Sequence, residues 1–355
     1  MRQKIVLIIS ILFISGFTVF AQKVPPPPPP LPIEDKEEIK IESRLVMIPV
    51  SVTDANGQAV TGLTAKDFRV LEQNKPQEIA EVGDAEKVPL EIALLFDVSA
   101  STDAMFKFEQ QTAAKFLSNI MKPEDRATIF TIGENPLLVK GRDTAQNAGV
   151  SIKAIQSTKQ YTAFYDTVRA AADYLNKNTP DGRRKVVVVI SDGEDTNSVG
   201  IANALQSSYR SLGKSIDTID RKSLYEFTVK KRNEANVKEQ TKVLKSLQNA
   251  DMVFYSINPA GSSYKLNKIS QIGQANMEKF AGETGGTAFL PKFLPIDLKS
   301  EYENTANLRR NTETLEAIFQ QLSNELRAQY LVQYYSDSEF PIGKYININI
   351  GVTNR

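Results

Sequence analysis

Hydrophobic positions follow three rhythms along the 355-residue chain, and each predicts a different kind of element. The first is unbroken. After Arg2 and Lys4, Ile5 to Phe20 is almost wholly apolar, and Val19-Phe20-Ala21 ends on a small residue before Gln22. A positive start, an apolar run slightly short of the ~20 residues of a spanning helix and a small residue at its end predict an export signal over 1–21, cleaved after Ala21. An uncleaved membrane anchor is the other reading. Either one sends the rest of the chain outside the cytoplasm, secreted or in the periplasm or cell envelope, with a membrane contact only through this segment. The linker 22–42 follows, where Pro25 to Pro30 forces extended polyproline II and reads as a stiff spacer, with recognition by a proline-binding domain as the alternative.

The second rhythm is alternation. Leu45, Met47, Pro49, Val50 and Val52 lead to the turn residues Asp54-Ala55-Asn56-Gly57, and Leu63, Phe68, Val70, Leu71 and Ile79 continue past a second turn at Asn74-Lys75-Pro76. This predicts a small β module over 43–87. Tyr330, Val332, Tyr334 and then Ile346, Ile348, Ile350 alternate around Pro341 to Lys344, so 329–355 is expected to add strands to it and complete one small sheet.

The third rhythm mixes buried strands with helical spacing over 88–328. Leu90 to Phe96 is apolar except for Glu91, as a strand covered on both faces must be. Met105, Phe108, Phe116, Leu117 and Ile120 then share one helix face. Ala127–Ile132, Val186–Ile190 and Met252–Ile257 read as further strands, and Phe164–Leu175 and Met277–Glu283 as helices. Leu315, Ile318, Phe319, Leu322 and Leu326 form the clearest amphipathic stripe. Strands alternating with helices predict an α/β domain with a doubly wound, mostly parallel sheet. The charged stretch 201–248 reads as a helical excursion with a solvated face, a basic ligand-binding surface being the alternative.

Composition removes whole chemistries. The chain has no His and no Cys, which excludes thiol nucleophiles, Ser-His-Asp triads, Cys/His zinc sites and disulfides. Any metal here takes oxygen ligands, which suits Mg²⁺, Mn²⁺ or Ca²⁺. Lys+Arg 43 against Asp+Glu 42 leaves +1, so nothing points to nucleic acid.

Asp97-Val98-Ser99-Ala100-Ser101 comes directly after the apolar strand and before a helix, where ligand sites form in doubly wound sheets. Thr162 precedes the next long helix, and Asp192 follows Val186–Ile190. Each alone reads as a helix cap or a turn. Together, in this order, they make the chain resemble the von Willebrand factor type A (integrin I-like) family over roughly 88–292, and its flanks resemble secreted bacterial relatives of that family. Gln160-Tyr161 departs from the glycines common before the threonine, and 201–248 is longer than usual.

The resemblance implies a metal-ion-dependent adhesion site of Asp97, Ser99, Ser101, Thr162 and Asp192. The hydroxyls would be neutral ligands and the aspartates would act largely through water, which leaves a cation such as Mg²⁺ short of negative charge. A protein or peptide partner would then complete the shell with an Asp or Glu carboxylate. The resemblance further implies open and closed states shifted by ligand. No catalytic role is expected, because without His, and without a carboxylate two residues after Asp97, a general acid is missing. An envelope scaffold with a secondary metal site is the alternative function. A metal-dependent hydrolase is disfavoured because Ser99 stands where a second carboxylate is needed.

Overall fold

The computed structural model describes residues 44–54, 60–84, 87–99, 103–158, 161–259, 268–296, 298–327, 329–336, 338 and 346–353. The export segment, the linker, the turns at 55–57 and 341–344, Gln160 and Ser101 lie outside the described residues. Four strands come first: β1 (Arg44–Ser51), β2 (Phe68–Glu72), β3 (Lys75–Gln77) and β4 (Ile79–Asp84). The central segment runs β5 (Leu90–Asp97), α1 (Asp103–Ile120), β6 (Arg126–Ile132), β7 (Leu137–Asp143), α2 (Ala145–Ala154), α3 (Phe164–Asn178), β8 (Arg184–Ile190), α4 (Val199–Leu212), α5 (Arg221–Asn249), β9 (Met252–Ile257), α6 (Lys268–Thr284), β10 (Ala288–Phe289) and α7 (Glu301–Arg327). Then come β11 (Gln329–Ser336) and β12 (Ile348–Val352). No helix among the described residues is long and apolar enough to cross a membrane.

The central sheet has the order β10-β9-β8-β5-β6-β7 and is parallel except for β7. Alternation inside the apolar runs splits the core in two. Leu90, Ile92, Leu94 and Phe96 of β5 face α1, α2 and α7, while Ala93 and Leu95 face the side covered by α3, α5 and α6. All six are fully buried, and burying a Leu, Ile or Phe side chain contributes about 1.5–3 kcal/mol. The α7 stripe buries Leu315, Phe319, Leu322 and Leu326, with the Phe319 ring stacked on Phe116 of α1 at 4.4 Å. At the amino edge of the sheet the buried Asp125 carboxylate accepts the Leu90 and Lys122 N–H groups, both at 2.7 Å, and pairs with Arg327 at the end of α7.

The flanking strands correct two expectations. They build two three-stranded sheets instead of one, β1-β11-β4 and β12-β2-β3, over a shared core of Leu63, Phe68, Val70, Val332 and Tyr334. The last two strands thus go to different sheets, because each has an apolar face that needs covering. The second turn sits at Gln73 and Asn74, both at positive φ (48° and 63°), and Lys75 and Pro76 belong to β3. A two-residue hairpin of that hand needs positive φ at both positions, which Asn tolerates and Pro cannot adopt.

Candidate metal centre

Strand order reverses between β5 and β8: the chain leaves β5 for β6 on one side and returns to β8 on the other. Crevices at such a reversal, beyond the carboxyl ends of the strands, are where this architecture holds ligands. The register pairs Phe96 with Ile190, so the next residues, Asp97 and Ser191, emerge side by side.

Their side chains meet. Asp97 Oδ1 accepts the Ser99 N–H at 2.9 Å and the Ser99 hydroxyl at 2.6 Å, while Oδ2 accepts the Ser191 hydroxyl at 2.6 Å. Ser191 Oγ in turn accepts the Gly193 N–H at 2.9 Å, and Asp192 Oδ1 accepts the Glu194 N–H at 3.0 Å, which turns the loop tightly around Asp192. Gly193 takes φ +75° and packs on α6: a Cβ there would lie 2.7 Å from the Gly273 carbonyl oxygen. Only glycine fits that approach.

Thr162 is held against the same loop. Its N–H donates to Thr196 Oγ1 at 2.9 Å, its hydroxyl lies 3.3 Å from that oxygen, and its carbonyl accepts the N–H groups of Thr196 and Asn197, both at 2.9 Å. Thr158 N–H donates to the Val98 carbonyl at 2.9 Å, which ties the first loop to the second. Four of the five expected residues therefore lie on three mutually hydrogen-bonded loops at one sheet edge, and Ser101 is outside the described residues.

Electrostatics tests whether a cation fits. Burial pushes the Asp97 carboxyl up, against the pull of its Ser191 and Ser99 hydrogen bonds. Asp192 is pushed up to about 6, first by burial and then by the charge of Asp97. Glu109, buried on α1, is pushed up to about 8 by burial and then by Asp97 and Asp192. Among the described residues no ion pair reaches any of these three acids. Among the described residues no three acidic side chains group closely enough to hold a metal alone. Buried, mutually repelling acids with no basic partner beside serine and threonine hydroxyls fit a hard divalent cation.

Glu109 and Ser191 were missed by sequence reasoning. The other nearby acids have structural partners: Asp195 accepts the Tyr165 and Ser198 N–H groups at 3.0 Å, Asp166 accepts the Val199 N–H at 2.8 Å, and Glu194 accepts the Ser270 hydroxyl.

Residues 92–194, a span that contains all five positions, match the family model of the von Willebrand factor type A domain. The chain carries a von Willebrand factor type A domain. No curated protein matches the chain. Solved structures that resemble this chain do so at low identity. An aerotolerance-related membrane protein from Bacteroides fragilis, with multiple mutations to serine, is 13% identical, with 63% of this chain and 99% of that chain covered and a TM-score of 0.38. Proximal thread matrix protein 1 from the mussel byssus, with a zinc-occupied MIDAS motif, is 12% identical at TM-score 0.43, covering 72% and 50%. A von Willebrand factor type A structure from Catenulispora acidiphila is 10% identical at TM-score 0.40, covering 74% and 51%. The alignment thus spans about half the length of the last two chains.

Proposed function

We propose that this protein is exported and binds a protein or peptide ligand through one divalent cation, Mg²⁺ by preference, held by Asp97, Ser99, Ser101, Thr162 and Asp192. The observation that carries the reading is the meeting of Asp97, Ser99 and Ser191 at the strand reversal, beside an Asp192 carboxyl pushed up first by burial and then by the charge of Asp97. When bound, the cation supplies positive charge that an anionic guest completes. The chain's own residues position the hydroxyls: Ser191 and the Ser99 N–H fix the Asp97 carboxylate, and Thr196 fixes Thr162. A carboxylate is the guest that suits a hard cation whose protein ligands are mostly neutral oxygens.

Calorimetric titration with Mn²⁺ and Mg²⁺ alone tests the site. One cation per chain is expected, with affinity lowered at least tenfold in Asp97→Ala and in Ser99→Ala while far-ultraviolet circular dichroism stays unchanged. Wild-type affinity in both variants, or no uptake by the native chain at millimolar cation, overturns the assignment.

A further inference from the structure

Each flanking sheet ends on a strand that borders the same cavity. Among the described residues β1 is outermost in one sheet and β12 in the other. The cavity, of about 640 Å³, is lined by Met47, Ile48, Pro49, Val50 and Ser51 in succession. Alternate residues of a strand share a face, so five consecutive ones mean that the cavity runs along the edge of β1. Ile348 and Ile350 of β12 line it as well, and Met252 at the start of β9 places it at the amino edge of the central sheet.

Its charge has one sign. Helices α5 and α6 end there, at Asn249 and Thr284, and neither has a Lys or Arg in its last turn. The carboxyl end of a helix carries about half a negative charge. Asp251 follows the first helix and Glu283 lies in the last turn of the second, both exposed and both lining the cavity. An acid at that end of a helix weakens the helix, so nothing local favours either one. Glu325 of α7 is the third acid on the wall and is buried, its carboxylate accepting the Thr287 hydroxyl at 2.8 Å and the Gln321 amide at 3.0 Å. No ion pair reaches any of the three among the described residues, and no Lys or Arg among them lines the cavity. Gln248, on the same wall, has a buried Oε1 with no donor.

The three acids do not group closely enough to hold a metal ion by themselves. The guest that matches them is a larger cation, with N–H donors for Gln248 and apolar surface for Met47, Met252 and Ile350. Lys and Arg side chains meet each requirement, since their heads donate and never accept and their stems pack on apolar walls. The chain's own linker 22–42 does not, with three Lys against five Asp/Glu.

We propose that this cavity is a second binding site, which takes an extended segment of another protein with Lys or Arg at alternate positions. The segment lies along the edge of β1, its charged heads reach Asp251, Glu283 and Glu325, and its stems rest on Met47 and Ile350. The site is at the opposite end of the sheet from the metal loops, about 20 Å away along a six-residue strand such as β9, so its occupancy does not depend on the cation.

Fluorescence anisotropy on the full chain tests this with a labelled ten-residue peptide alternating Arg and Val, and with its Glu-for-Arg counterpart. The Arg peptide is expected to bind and the Glu peptide not. Asp251→Asn with Glu283→Gln should weaken binding roughly tenfold at low salt and less at high salt. Asn tolerates the positive φ of 51° at position 251, and the pair removes acids from two helix carboxyl ends. It should therefore melt no lower than wild type, which separates lost binding from misfolding. Thr53→Glu, at an exposed position on the wall, should tighten binding. EDTA and Asp97→Ala should change nothing. No uptake of the Arg peptide at millimolar concentration, or wild-type affinity in the Asp251→Asn, Glu283→Gln pair, overturns the proposal. Loss of binding in EDTA also overturns it, by placing the peptide at the metal loops, and leaves the metal reading standing. Displacement of the peptide by equimolar spermidine would make the guest a free polyamine, and self-association abolished by the same pair would make it a second copy of the chain; either result overturns the assignment.

Discussion

Replacing Asp192 by Asn should stabilise the metal-free protein and destroy its response to Mg²⁺. The Asp192 carboxyl is pushed up to about 6 from 3.8, first by burial and then by Asp97. Between those values the folded chain holds more protons than the unfolded one. This contribution therefore makes the fold weaker as pH rises from about 3.8 through about 6, and the loss is constant above. About two units at 1.36 kcal/mol each set a ceiling of about 3 kcal/mol. Asp192 keeps some solvent contact, so screening reduces the expected value to about 1–2 kcal/mol. Asn keeps the shape and the oxygen that accepts the Glu194 N–H at 3.0 Å. In EDTA near neutral pH the variant should thus melt about 2–5 °C above wild type. In Mg²⁺ at a hundred times its Kd the wild type should gain about 2.7 kcal/mol and the variant little, which inverts the order. Thermal unfolding followed by circular dichroism in both buffers reads this directly. A variant less stable than wild type in EDTA, or equal Mg²⁺ shifts in the two proteins, would refute the picture of an unneutralised carboxylate pair.

Glu109→Gln should flatten the decline in stability that wild type shows as pH rises from about 4.5 through about 8, because the raised Glu109 pKa means the folded state keeps its proton there; urea midpoints near pH 6 and pH 9 measure it, and equal declines in both proteins contradict it. Gly273→Ala places a Cβ 2.5 Å from the Gly193 carbonyl carbon, a backbone clash between α6 and the Asp192 loop. It should cost about 1–3 kcal/mol by urea denaturation and weaken Mn²⁺ binding, and an unchanged midpoint would show that α6 yields freely. Asp125→Ala strands two N–H groups and Arg327 at the amino edge and should cost about 3–5 kcal/mol by chemical denaturation. Its Mn²⁺ affinity should stay at the wild-type level, since the lesion lies at the far edge of the sheet; a parallel loss of affinity contradicts that separation.

The central strands were legible because burial on both faces leaves an unbroken apolar run, as Leu90 to Phe96 shows apart from Glu91, which Arg142 and Arg183 neutralise. Asp97 and Asp192 were legible as polar residues ending such runs. Strand β7 was not read, since an edge strand half exposed along most of its length has no clean period. The two-sheet flank was hidden because β1 pairs with β11 across nearly the whole chain, and alternation names a strand without naming its partner. Ser191 acquires its role only through the Phe96–Ile190 register. Glu109 did leave a signal: it lies four residues before Ala113 and seven before Phe116, both buried, so an acid stands on the apolar stripe of α1.

The flanking sheets also limit how the metal loops can move. A change transmitted along α7 would have to displace its last turn, where Arg327 pairs with Asp125 and donates to the Ile120 carbonyl at 2.6 Å. It would also have to displace β11, which starts two residues later at Gln329 and is paired on both sides, with β1 and β4. A one-turn shift of α7 is about 5.4 Å, while a single-residue slip of β11 is only about 3.3 Å and already turns an inward face outward. That slip would expose Val332 and Tyr334, both completely buried, at a cost of several kcal/mol. Driving a two-state change from 1:99 to 99:1 demands about 5.5 kcal/mol of differential binding before this cost is added. A long α7 stroke is therefore the expensive route, and rearrangement confined to the loops and the start of α1 is the cheap one. Amide hydrogen exchange at Val332 and Tyr334 should accordingly be the same with and without saturating Mg²⁺; acceleration at these strand positions on metal binding would show that the α7 route is taken after all.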